Sequence, residues 1–156
     1  MTHKVASSNG TNYSREVFRE VSLSILLSTC NGREAEISRL TELSIVSSSV
    51  IEAVIEELTA RNLLSSTCGK VSASKEQRIA IAMEVLKHGG DPERVCRGLD
   101  WREFEEVAMV ALDSNGYNTT KSFIFKHRKK RMEIDLVGVK EKLVLCVDCK
   151  HWMHGW

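Results

Sequence analysis

The stretch Arg131–Lys150 constrains the fold of this chain most strongly. It reads as two apolar strands, Met132–Gly138 and Leu143–Lys150, joined by a short charged turn at Val139–Lys142. Alternation of this kind predicts a β-hairpin, and therefore an antiparallel sheet. Both strands also carry carboxylates at positions where a core strand carries apolar side chains. Because clustered carboxylates on a sheet repel one another, their presence indicates a function other than packing, an exposed edge hairpin with solvated charges being the alternative.

The register of the predicted hairpin decides which acids meet. A two-residue turn at positions 141 and 142 places Asp135 directly opposite Asp148. Two residues further from the turn, Glu133 then lies opposite Lys150. Opposed residues on one face have Cβ atoms about 4.5–5.5 Å apart, so the two aspartates could share one Mg²⁺ ion. A turn with an odd number of residues would place them on opposite faces. The other face receives an apolar set: Ile134, Leu136, Val147 and Cys149.

The first part of the chain shows helical periodicity. After a lead-in over residues 1–12, which we expect to be disordered, apolar residues recur at helical spacing up to about residue 90. Residues 91–98 are predicted to form a linker helix that begins at Asp91 and Pro92, and Gly98 marks the predicted domain boundary. The other predicted elements are helices at Ser14–Cys30, Arg33–Thr41, Ser47–Arg61 and Lys75–His88, with a small hairpin at Ser65–Ser74.

The order helix, helix, turn, helix and β-ribbon resembles a winged helix-turn-helix domain over residues 13–90, and Ala35–Leu64 carries most of the similarity. The resemblance implies that the third helix is a recognition helix for the DNA major groove. Its outward side has no Lys or Arg before Arg61, and carboxylates repel phosphate. A DNA-binding module and a scaffold or dimerisation module therefore both stay open. The outward residues are Ser48, Ser49, Glu52 and Glu56.

The second domain, residues 99–156, is predicted to have the order α-β-β-β, so the whole chain is expected to be α+β. Its helix begins after Asp100, with Glu103 completing a capping box, and ends near Ser114. A strand over Tyr117–Lys126 precedes the acidic hairpin. Between them lies the most basic run of the chain, which we expect to contact DNA phosphates, a solvated charged turn being the alternative. Its cations are Lys126, Arg128, Lys129, Lys130 and Arg131.

Asp135, followed by Asp148–Lys150 at the end of an apolar strand, resembles the PD-(D/E)xK signature of restriction-endonuclease-like nucleases. The helix that starts with Trp101–Glu105 and leads into Asn115–Tyr117 is similar to the opening helix of Mrr-type restriction endonucleases and archaeal Holliday-junction resolvases. The resemblance covers about Leu99–Trp152. It implies a core that continues with a helix and a strand after the lysine, so the C-terminal part of this core is expected to be missing.

The resemblance implies a metal site. Asp135 and Asp148 would be the two carboxylate ligands, and the backbone carbonyl of Cys149 would be a further ligand. Glu133 lies where some relatives carry another acid, which makes it an additional candidate. The expected metal is Mg²⁺ or Mn²⁺, since hard cations prefer oxygen ligands. Such an ion neutralises the scissile phosphate and lowers the pKa of a bound water.

The resemblance also implies catalytic roles outside the metal ligands. Lys150 would orient or help deprotonate the attacking water and offset negative charge in the transition state. Glu105 corresponds to the acid of the first helix, which assists the metal or the water, and Glu106 is the adjacent choice. The expected function is that of a Mg²⁺-dependent DNA endonuclease. The alternative is a non-catalytic winged-helix DNA-binding or regulatory protein that carries a truncated, inactive remnant of a nuclease.

Bulk properties set limits on partners and location. The formal net charge is +1, so no global electrostatic field steers nucleic acid to the chain and any basic patch must be local. No apolar run reaches the roughly 20 residues that span a bilayer, and no signal peptide is recognisable, so we expect a cytoplasmic protein without a membrane partner. Five widely spread cysteines are expected to be reduced. An exposed apolar edge at Leu143–Lys150 makes a homodimer one way to complete the sheet.

Overall fold

A computed structural model describes residues 13–42 and 44–149 and divides the chain into two compact units between Gly98 and Leu99. The first unit is mainly helical, and the second contains a three-stranded sheet, so the chain is of mixed α and β structure. The division falls at the position where the sequence predicts a domain boundary. The helix that was predicted as a linker belongs to the first unit.

The first unit contains five α-helices, a short 3₁₀ helix at Cys30–Gly32 and three short strands among its described residues. Several predicted caps are present: the Ser74 side chain and Gln77 form a capping box, and Asp91 caps a helix that begins with Pro92. The helices are α1 Arg15–Ser28, α2 Ile37–Glu42, α3 Ser48–Ala60, α4 Lys75–Lys87 and α5 Pro92–Arg97. The strands are β1 Ala35–Glu36, β2 Ser65–Thr67 and β3 Lys70–Ser72.

The predicted second helix starts too early in the sequence. Within the predicted range, Ala35 and Glu36 instead form β1, which pairs antiparallel with β3 through Ala35 and Val71, and helix α2 begins only at Ile37. The two paired side chains are buried in the unit, so a long-range contact overrides the local helical pattern. The resulting sheet has the strand order β1-β3-β2.

The core of the first unit includes a buried arginine. The Arg78 guanidinium on α4 is 1% exposed and donates to the carbonyl oxygen of Leu26 at 2.7 Å and to the hydroxyl of Thr29 at 2.8 Å. It also donates to the carbonyl oxygen of Gly98. These acceptors lie near the C-terminal ends of α1 and α5, where helices leave carbonyl groups without intrahelical donors. Arg78 thus joins three helices of this unit.

The second unit consists of helix α6, Trp101–Ser114, and an antiparallel sheet with the order β4-β5-β6. The predicted capping box of Asp100 and Glu103 is present. The helix lies close to the sheet, since a Cβ placed on Gly138 would be 3.2 Å from the side chain of Leu112. Leu136 is fully buried beneath it. The strands are β4 Asn118–His127, β5 Lys130–Lys140 and β6 Leu143–Val147.

Both hairpins of this sheet close through two-residue turns. Arg128 and Lys129 form the first turn with φ values of 46° and 66°, the pattern of a type I′ turn. Glu141 and Lys142 form the second, with φ 53° at Glu141. The predicted strands were too short at the first turn, because most of the basic run belongs to β4 and β5 and not to a loop.

Among the helices that the structure describes, none combines the length and apolarity that crossing a membrane requires.

Candidate functional site

The register of the acidic hairpin is the predicted one. Leu136 pairs with Val147, and Val139 pairs with Val144, around an even turn at positions 141 and 142. The ladder ends with the first of these pairs, one position before Asp135 and Asp148 would face each other. The two aspartates are therefore aligned by the register, although strand pairing does not extend to them.

Beyond the last paired residues, a hydrogen bond to a side chain joins the two segments. The backbone amide of Cys149 donates a hydrogen bond to Oδ2 of Asp135 at 2.7 Å. Cys149 itself is only 8% exposed, whereas Asp148 is exposed to solvent. The segment that follows β6 is thus fastened to β5 by the carboxylate of Asp135, which brings together the two acidic parts of the hairpin.

The electrostatic environment of Cys149 shows which charged groups surround this contact. Burial raises the pKa of its thiol to about 11, and the negative charges of Asp135, Glu105 and Asp148 contribute in the same direction. The charge of Lys121 opposes them. Glu105 lies on α6, Asp135 lies on β5 and Asp148 follows β6. Three acids that the sequence predicts as site residues therefore lie on three different segments. The negative charge of each raises the pKa of the same thiol.

Lys121 is a site residue that the sequence reasoning missed. Its Nζ donates to Oε1 of Glu106 at 2.7 Å and lies 3.4 Å from Oε2 of Glu105. The hydrogen bond to Glu106 is the largest cause that raises the pKa of Lys121. Lys121 pairs with Leu136 across β4 and β5, next to the position of Asp135. Only the register of that strand pair, which the sequence pattern leaves open, would have revealed it.

The strand next to Asp135 is locally distorted. Pairing between β4 and β5 passes from Lys121 and Leu136 directly to Phe123 and Ile134, so Ser122 and Asp135 form the one interrupted step of this described ladder. Ser122 has φ 50°, a left-handed conformation that is unusual for a residue inside a strand. Backbone strain of this kind costs about 1–3 kcal/mol and clusters at functional sites.

The remaining predicted residues lie elsewhere in the unit. Glu133 is exposed and pairs with Ile124, two residues from Asp135 in the direction of the first turn. The cations of the basic run are all exposed at the tip of the β4–β5 hairpin. Lys150 lies outside the described residues, and so does its predicted pairing with Glu133.

The donor atoms at this site suit a hard cation. Carboxylates of Glu105, Asp135 and Asp148 offer oxygen ligands, as Mg²⁺ prefers. Within residues 13–42 and 44–149, no group of three or more His, Cys, Asp or Glu side chains is placed to hold a metal ion. Mg²⁺ is usually held by only one or two protein carboxylates, together with water and substrate phosphates. Two of these acids are therefore enough to hold Mg²⁺. Asp135 could take part if its carboxylate rotated away from the amide of Cys149.

The outward side of α3 carries the predicted residues. Ser48 and Ser49, like Glu52 and Glu56, are exposed. Arg61, at the end of this helix, forms ion pairs with Glu84 and with Glu57 inside the unit. The face is therefore uncharged or acidic, which is unfavourable for contact with DNA phosphates.

Comparisons with known proteins identify one similar stretch and no family. No protein-family model matches the chain, and no solved structure matches it. An uncharacterized protein of Archaeoglobus fulgidus is 36% identical over 50 residues, which make up 32% of this chain and 39% of the relative. The matched stretch thus spans well under two thirds of that relative.

Proposed function

We propose that the second unit is a divalent-metal-dependent DNA endonuclease of the PD-(D/E)xK type. The observation that carries the proposal is the 2.7 Å contact between Asp135 and the amide of Cys149, at the end of a hairpin whose register aligns Asp135 with Asp148. A nuclease of this type requires an aspartate on one strand beside an acid-x-lysine segment on the next. Glu105 on α6 supplies the acid of the first helix.

The charge distribution supports a function over a purely structural role. Three carboxylates act on the buried thiol of Cys149, and Lys121 is the cation that opposes them there. Acids gathered in this way repel one another and destabilise a fold unless a cation is bound, and groups with such charge environments cluster at functional sites.

The mechanism follows from the roles of these side chains. Asp135 and Asp148, with the carbonyl of Cys149, would hold Mg²⁺ or Mn²⁺. When bound, the ion neutralises the scissile phosphate and lowers the pKa of a coordinated water. Lys150 donates to the attacking water and offsets charge as the phosphate becomes more negative. Glu105 accepts a proton or a hydrogen bond from water, and its carboxylate is oriented by Lys121 at 3.4 Å.

The first unit supports a second candidate function. Its element order, together with the sheet order β1-β3-β2, is compatible with a winged helix-turn-helix fold. On this alternative the protein is a non-catalytic DNA-binding or regulatory protein, and the acidic hairpin is an inactive remnant. Because the exposed side of α3 is acidic, we assign the unit a scaffold or dimerisation role in the proposed nuclease.

Cleavage of plasmid DNA with Mg²⁺ tests the proposal. Asp135→Asn and Asp148→Asn remove ligand charge with little change of shape, and Lys150→Met removes the ammonium group. We expect each to lower the cleavage rate by about a hundredfold or more. Glu141→Gln, an exposed acid in the second turn, is the matched control and should cleave like the parent.

Two results would decide against the nuclease. Equal cleavage by the parent and the three site variants would refute the site. Absence of cleavage by the parent, together with metal-independent binding of DNA, would favour the winged-helix regulatory protein.

A further inference from the structure

The β4–β5 hairpin extends beyond the acidic site as an arm with its own surface. We define the hairpin arm as residues 123–134, which include the turn at Arg128 and Lys129. Phe123 pairs with Ile134, and Phe125 pairs with Met132. Further toward the tip, the pairs consist of basic residues and a histidine.

One face of the hairpin arm carries two aromatic rings, of which Phe123 is exposed and Phe125 is half-buried. Phe123 and Phe125 are two residues apart on β4 and therefore share a face. Their ring centroids are 6.2 Å apart and their planes differ by 27°. Phe123 is 44% exposed and Met132, opposite Phe125, is 47% exposed. Large apolar side chains exposed together on a strand mark a binding surface more often than a packing feature.

The tip of the hairpin arm is strongly cationic. All five cations of the basic run are exposed, and no ion pair within residues 13–42 and 44–149 engages them. Glu133 is the only acidic residue of the arm. A ligand that covers both the tip and the aromatic face must therefore be anionic and must offer flat apolar surfaces.

We propose that the hairpin arm binds single-stranded or locally unpaired DNA, with bases stacked on Phe123 and Phe125 and phosphates held by the cations of the tip. Every base has a face that can stack on an aromatic ring, and a cationic groove or arm follows the backbone. A paired base would not offer its face, because its neighbours in the duplex cover it. This inference rests on the proposed nuclease function and names the form of its substrate.

The position of the hairpin arm relative to the acids supports this substrate. Lys121 and Phe123 are two residues apart on β4, and their partners Leu136 and Ile134 are two residues apart on β5, so Lys121 lies on the face of the rings. The Nζ of Lys121 donates to Glu106 at 2.7 Å and lies 3.4 Å from Glu105, the proposed acid of α6. A DNA strand stacked on the rings therefore continues toward Glu105 on the same face of the sheet.

Binding of fluorescently labelled oligonucleotides in EDTA tests the inference without cleavage. A single-stranded DNA, its duplex and an RNA of the same sequence are titrated with the parent and with two double variants. Phe123→Leu with Phe125→Leu keeps apolar bulk but removes both rings. Phe123→Tyr with Phe125→Tyr keeps both rings. Val144→Ala, at a position that is 57% exposed on the opposite end of the sheet, is the matched control.

We expect the leucine variant to bind single-stranded DNA about thirtyfold or more weakly, since each stacked base contributes at least about fivefold. Its binding to duplex DNA should change by less than about threefold, because phosphate contacts remain. The tyrosine variant and the control should bind like the parent. Thermal unfolding of each variant checks that the fold is retained.

Three outcomes would overturn the inference. The first is a leucine variant that binds single-stranded DNA like the parent, which would make the face a generic apolar surface. The second is a parent that binds duplex as tightly as single-stranded DNA, and the third is a clear preference for RNA. Failure of the nuclease proposal is distinguishable, because the parent would then show the expected binding pattern but would not cleave DNA. If only the inference about the hairpin arm fails, the leucine variant would cleave DNA like the parent.

Discussion

Asp135 accepts a hydrogen bond from the backbone amide of Cys149 at 2.7 Å, and this contact links two strands just beyond the end of their ladder. The carboxylate thus takes the place of a backbone carbonyl and holds the Asp148–Cys149 segment against β5. The same carboxylate is a proposed metal ligand, so an ion bound through Oδ2 would compete with this hydrogen bond.

Removal of the charge at Asp135 should change the chemistry of the neighbouring thiol. Because the carboxylate is among the groups that raise the pKa of Cys149 to about 11, Asp135→Asn should lower that pKa toward the usual value of about 8.5. Burial, the largest cause, remains, so the shift will be partial. The pH dependence of alkylation at Cys149, followed by peptide mass spectrometry, measures it. An unchanged pH profile would contradict the proximity of the Asp135 carboxylate to the Cys149 thiol. Asp113→Asn is the control and should leave the profile unchanged.

Lys121 should contribute to stability in a pH-dependent way. Its pKa is raised by the hydrogen bond to Glu106, so its contribution is complete below the unfolded pKa of about 10.4 and is lost as the pH rises through the higher folded value. Lys121→Met should therefore lower the free energy of unfolding by about 1 kcal/mol or less at neutral pH. Urea unfolding at neutral pH and above pH 11 measures the difference, which should shrink at the higher pH. A constant difference would assign the effect to packing.

The acidic hairpin could be predicted because its register depends on local information. A two-residue turn and period-2 alternation define which residues face each other, and the structure has that register between Leu136 and Val147. The β4–β5 register could not be predicted in the same way, because residues 126–131 are all basic or histidine and their sequence shows no alternation of apolar and polar residues that would locate the turn. Lys121 was missed for that reason.

Strand β1 shows a different limit of prediction from the sequence. Two residues, Ala35 and Glu36, carry too little pattern to predict a strand, and their pairing with β3 depends on residues more than 30 positions away. By contrast, the caps of α4 and α6 were predictable, because each depends on side chains three residues apart. Local rules therefore predicted most of the helices and the hairpins β2–β3 and β5–β6, whereas contacts between distant segments had to come from the structure.

Arg78 should be essential for the stability of the first unit. Arg78→Met would leave the carbonyl oxygens of Leu26 and Gly98 without this buried donor, so we expect a loss of about 3–5 kcal/mol in the free energy of unfolding. Arg94→Met is the matched control, because its ion pair with Glu20 is exposed and should contribute less than about 1 kcal/mol. Urea unfolding monitored by circular dichroism compares the two. A loss of similar size in both variants would argue against the special role of the buried arginine.

Substitutions at Arg128 and Lys129, in the first turn of the sheet, should change stability and DNA binding in opposite directions. Arg128 and Lys129 both occupy the left-handed region, where a side chain costs about 1–2 kcal/mol relative to glycine. Replacing them by Asn and Gly, the preferred type I′ pair, should raise the free energy of unfolding by about 1 kcal/mol. The same change removes two cations from the tip of the hairpin arm.

DNA binding by this turn variant should therefore weaken while the fold becomes more stable. Each lost phosphate contact reduces the slope of log binding constant against log salt concentration by about 0.7 for single strands, so the slope should fall by about 1.4. Thermal unfolding and binding titrations over a range of salt concentrations measure the two effects on the same protein. Lys142→Gln, which removes one cation from the opposite turn, is the control. An unchanged slope in the turn variant would mean that these two cations do not contact phosphates.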